Sequence, residues 1–147
     1  MELGTVAGVD FAFLPSTTVP VGEGAQRLGE FGSNRYVPTF LLIAGMDLAP
    51  TLSLGTQAGI TYNGPGTDDA DLSATLVLGF SLTDGVGAFA EVSAVDRINV
   101  DAAASVLLHT GATLLLSDDF QLDAHVGAGV TDTAPDYLVG VGASARF

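Results

Sequence analysis

The sequence contains no cysteine, no tryptophan and no lysine. Without cysteine there is neither a disulfide framework nor a thiolate metal site. The basic residues are only Arg27, Arg35, Arg97 and Arg146, set against 17 acidic ones for a net charge of -13. Nothing in that balance can neutralise a phosphate backbone, which excludes a nucleic-acid partner. Charge of either sign is scarce, at 14% of residues, and mean hydropathy is +0.46. An acidic soluble domain carries far more charge on its surface, so much of this surface is expected to face something other than water. Long apolar runs are missing too, and no stretch reaches the ~18 residues of a membrane helix. Met1-Glu2-Leu3-Gly4 lacks the basic and apolar regions of a signal peptide. If exported, the chain is expected to be a mature or shortened form with an added start methionine.

What the sequence has is glycine, 19 residues of it, and period-two alternation in segments of about ten residues. That is the length of a tilted membrane-crossing strand. The alternation predicts strands over 2–13, 36–48, 52–63, 71–82, 86–96, 102–116, 119–130 and 137–147. Ala49-Pro50-Thr51, Thr83-Asp84-Gly85 and Ser117-Asp118 read as tight turns, and longer links lie between them. Alternating short and long connections are expected of an up-and-down barrel. The expected fold is therefore all-β, an eight-stranded antiparallel up-and-down transmembrane β-barrel in one domain, 1–147. Its localisation would be the bacterial outer membrane, with lipid as partner.

Each segment has two unlike faces. In 119–130, Phe120, Leu122, Ala124, Val126, Ala128 and Val130 alternate with Gln121, Asp123, His125, Gly127 and Gly129. A soluble barrel would fill its second face with Lys, Glu and Arg. Here that face is small and polar, as a narrow lumen requires, while the apolar face suits lipid. Aromatics on the outward face form two expected girdles at headgroup level. Phe11, Phe13, Tyr36, Tyr62 and Tyr137 are assigned to the long-loop end, and Phe80, Phe120 and Phe147 to the short-turn end.

The last strand, Tyr137 to Phe147, alternates apolar residues and ends in Phe; it resembles the terminal signal that the barrel-assembly machinery reads in bacterial outer-membrane proteins. Leu78 to Val92 resembles the "strand, Leu-Thr-Asp turn, strand with Ala-Glu" hairpin of the transporter-like outer-membrane family associated with the meta-cleavage pathway of phenol degradation. Leu114 to Phe147, with Phe120-Gln121-Leu122-Asp123 and Asp132-Thr133-Ala134-Pro135-Asp136-Tyr137, resembles its closing hairpin, and Phe13-Leu14-Pro15-Ser16-Thr17 is similar to its "Leu-Pro-Thr-Gly" strand exit. The resemblance is strongest over 78–147. Family members are larger barrels with further strands before this region. The resemblance implies a role in moving apolar or aromatic compounds across the outer membrane, and supplies no catalytic residue.

His109 and His125 are placed nearly opposite each other on the inner face by the tight turn between their strands, with Asp123 one position along. Two imidazoles and a carboxylate can bind a divalent metal. No ligand beyond these is specified, so a lumenal hydrogen-bond network is the expectation and no metal or cofactor is assigned. Asp10, Asp47, Gln57, Glu91 and Arg146 are also assigned to the lumen, Arg146 across from Gln121, within reach of Asp123, and near Glu2 on closure. Neither a Gly-x-Ser-x-Gly elbow nor a Ser-His-Asp constellation occurs, so an enzyme is not expected. The acidic loops (Asp68, Asp69 and Asp71; Asp96 and Asp101; Asp132 and Asp136) lack calcium-loop spacing. The expected function is transport or binding of a small apolar or aromatic compound. The alternatives are a structural or anchoring subunit of a larger membrane assembly, and a soluble lipocalin-like carrier.

Overall fold

The computed structural model describes residues 1–19, 36–64, 70–98 and 100–147. Among them there is no helix. Nine strands form the fold: β1 (Glu2–Val6), β2 (Val9–Thr18), β3 (Val37–Ala49), β4 (Leu52–Tyr62), β5 (Ala70–Ser81), β6 (Val86–Arg97), β7 (Ser105–Ser117), β8 (Phe120–Gly129) and β9 (Tyr137–Ala145). Each pairs antiparallel with its neighbours in sequence, giving one up-and-down sheet. No contact joins β1 to β9 among the described residues, so the sheet is open. Strands β2 to β9 are 9 to 13 residues long. Short turns collect at one end of the sheet (7–8, 50–51, 82–85, 118–119) and long connections at the other.

The strand count corrects the eight expected from the alternation. The segment 2–13, read as one strand, is a hairpin: Val6 pairs Val9 across Ala7-Gly8. Both turn residues have positive φ, 52° and 81°, the backbone of a two-residue turn whose twist suits the strands it joins. Alanine is disfavoured there by ~1–2 kcal/mol, so nothing in the residue types announced a turn. β2 then continues to Thr18, into the link expected between 13 and 36; residues 20–35 lie outside the described residues. β1 covers only the first half of β2. The Phe13 N–H bonds the Met1 carbonyl at 2.8 Å, so by alternation the next backbone group facing that open edge belongs to Pro15, which has no N–H to leave unpaired.

The two faces differ in exposure, and in the direction opposite to that of a water-soluble sheet. On β5, Leu72, Leu76, Leu78 and Phe80 are exposed, whereas Asp71, Ser73, Thr75, Val77 and Gly79 are half-buried. β8 repeats this at every position: Phe120, Leu122, Ala124, Val126 and Ala128 are exposed and Gln121, Asp123, His125, Gly127 and Gly129 half-buried. The small, polar side is thus the inner, crowded face. Ala70 is the one buried apolar residue among those described. The sheet has no hydrophobic core of its own. Two hydroxyls in the middle of the outer face are internally satisfied: Thr56 Oγ1 donates to the Thr75 carbonyl at 2.9 Å and Thr110 Oγ1 to that of Phe89 at 2.8 Å.

Candidate functional site

The inner face carries the side chains with chemistry. Glu91 on β6 pairs His109 on β7, and His109 pairs Gly127 on β8. The Nδ1 of His109 lies 3.1 Å from Glu91 Oε1, with 16% and 25% of the two side chains exposed. His125, offset by two residues, meets the His109 ring edge-on at 6.2 Å between centroids. Glycines make room for this line of side chains. A methyl group on Gly127 would overlap the His109 ring, and one on Gly140 the His125 ring. Asp123 lies flat across Gly142 in the same way, opposite Thr113. The result is a polar line running across four strands, from Glu91 to the backbone at Gly140. His109 Nε2 is buried in it without a hydrogen-bond partner.

The structure therefore brings His109 and His125 together as the tight turn implied, with Asp123 beside them. Among the described residues no three ligand-type side chains converge as a metal centre. Glu91 is the member whose partnership was not legible. It was placed on the inner face, but a long connection joins β6 to β7, so no turn sets their register in advance.

The other assigned residues scatter. Gln57 sits mid-sheet between Ile43 and Thr75. Asp10 accepts from Thr5 Oγ1 beside the open edge, and Asp47 is exposed at the bulged end of β3. Arg146 departs from its expected partners. It lies beyond β9, opposite Asp119, where Nε donates to Asp119 Oδ1 at 3.0 Å and Nη2 to the Asp118 carbonyl at 3.1 Å. Gln121 faces Ser144 instead, and Glu2, on β1, is remote because the sheet is open. Of the outward aromatics, Tyr36, Tyr62 and Tyr137 stand at the long-connection end, and Phe80, Phe120 and Phe147 at the short-turn end. Phe11 and Phe13 fall inside β2, because that strand runs on to Thr18; Phe13 stacks on Phe40 at 6.2 Å.

At the long-connection end the inner face has a polar rim. Thr39 and Thr61 share a 3.0 Å hydroxyl hydrogen bond, Thr61 pairs Asp71, and Asp71 pairs Arg97. Near this rim two segments are tied together: Thr133 Oγ1 donates to the Ala104 carbonyl at 3.1 Å, and the Val106 N–H to Thr131 Oγ1 at 3.0 Å. Beside them lies a cavity of about 350 Å³ whose lining includes Val95, Arg97, Ala102, Ala103, Ser105 and Thr133. Asp68 and Asp69 lie outside the described residues.

A family model described as "Putative MetA-pathway of phenol degradation" matches residues 7–147. No curated protein matches the chain.

Proposed function

The chain belongs to this phenol-degradation family, and from that premise we propose that its sheet is the wall of a barrel in the bacterial outer membrane. In this reading the outer face meets lipid, and the inner face lines a route or holding site for small apolar or aromatic compounds. One observation carries the reading: on β5 and β8 the apolar side chains occupy the exposed face, while the alternate, mostly small and polar residues are half-buried. In water that arrangement leaves the larger apolar surface hydrated, at a cost of about 25 cal/mol per Å²; in lipid the cost vanishes. The outward threonines support it as well, since a hydroxyl in hydrocarbon must find its acceptor within the protein. The chain has no catalytic role in this proposal. Its partners are lipid, the assembly machinery that inserts it, and the passing compound.

Folding in detergent micelles tests the proposal. An unboiled sample is expected to migrate differently from a boiled one on a cold SDS gel, with β-type circular dichroism only in detergent or lipid. A stable β-fold in plain buffer without a gel shift would refute the membrane reading. The open edges β1 and β9 favour a second reading, in which the sheet is completed by strands of a larger assembly. A fixed partner co-purifying with the folded chain would support that version.

A further inference from the structure

We infer that the cavity at the rim of the inner face is a binding site for a small monocarboxylate with an apolar body. Its walls combine Val95, Ala102 and Ala103 with the hydroxyls of Ser105 and Thr133, and Arg97 stands at its edge. The guanidinium of Arg97 is incompletely used. Among the described residues its acidic neighbour is Asp71, with Nε 4.0 Å from Oδ1, a separation beyond hydrogen-bond reach. Asp71 Oδ1 is buried and accepts no hydrogen bond, so the two groups form a loose ion pair without a hydrogen bond. A guanidinium presents donors in a planar fork that matches a carboxylate bidentately. With 64% of its side chain exposed, Arg97 can turn that fork toward the cavity.

The charge pattern selects the ligand's charge. In a chain of net charge -13 anions are repelled almost everywhere, and the other arginine among the described residues, Arg146, is held by Asp119 at the opposite end of the sheet. Arg97 is therefore the one described cation at this mouth. Asp71 already offsets part of its charge, which favours a monoanion over a phosphate or dicarboxylate. The volume of about 350 Å³ is near the lower end of ligand sites, which run from ~300 to ~1,000 Å³. It suits one ring or a short chain.

The inference rests on the inner face being the interior, as proposed above, but not on any flux through it. Calorimetric titration with benzoate and with its neutral isostere benzamide tests it, in whichever medium gives the β-type spectrum. Benzoate is expected to bind the more tightly. Arg97→Gln is expected to weaken benzoate by about tenfold or more, as loss of a charge-assisted pair implies, and to weaken benzamide much less. Asp71→Asn is expected to tighten benzoate. Equal binding of the two probes, no benzoate binding by the folded chain, or full benzoate affinity in Arg97→Gln would each overturn the site. Folding in buffer but not in detergent would refute the membrane reading instead, and the titration would still decide the site.

Discussion

At Gly127 the backbone of β8 approaches the ring of His109 so closely that even one methyl group would overlap it. The same pairing of one glycine with one larger side chain recurs at Gly111 with Phe89, Gly59 with Leu41, Gly140 with His125 and Gly142 with Asp123. These glycines act as notches: a side chain on one strand lies flat over its neighbour, and the inner face stays filled without overpacking. The sequence made the glycines legible as inner residues, but which side chain covers which glycine depends on register. Gly127→Ala is expected to destabilise the fold by ~1–3 kcal/mol through overpacking, measured as the shift of the urea midpoint in micelles. His109→Ala should remove most of that cost in the double variant, a coupling readable from the cycle. Additive losses would mean that the His109 ring is not what fills the notch.

Within a strand, alternation decides which residues meet which environment. That pattern was legible from period two alone, which is why β3 to β9 lie within a few residues of the predicted segments. The β1–β2 turn was not legible, because Ala7 adopts a left-handed backbone for which alanine is a poor marker. Neighbouring positions on β6 give a clean contrast, with Val92 exposed on the outer face and Ser93 half-buried on the inner. Val92→Arg is expected to lower folding stability in bilayers by ~2–4 kcal/mol, the cost of a cation on a lipid-facing position near the midplane. Ser93→Arg should cost less, since its charge remains in a polar interior. Equal losses, read from denaturant titrations in vesicles, would argue against two unlike environments. The Arg146–Asp119 pair was missed for a comparable reason: β9 ends at Ala145, so Arg146 belongs to the rim.

For the molecule as a whole, nine alternating strands place β1 and β9 in the same direction, so these two edges cannot form an antiparallel seam. β2 and β9 run oppositely. An antiparallel closure therefore requires release of the five-residue β1 from the β2 edge or an odd number of further strands between β9 and β1. Composition could not reveal this, because closure is decided by pairing across the whole chain. Composition did carry the central claim, that the apolar face of the sheet is the lipid face. The sequence has no tryptophan, so a single introduced one reports one position. Leu76→Trp puts an indole on the outer face and Gln57→Trp one on the inner face, at nearby levels of the sheet. With the chain folded into vesicles of bromine-labelled lipid, the account predicts strong quenching of Leu76→Trp and weak quenching of Gln57→Trp. Strong quenching of Gln57→Trp with Leu76→Trp protected, or no quenching of either, would contradict it.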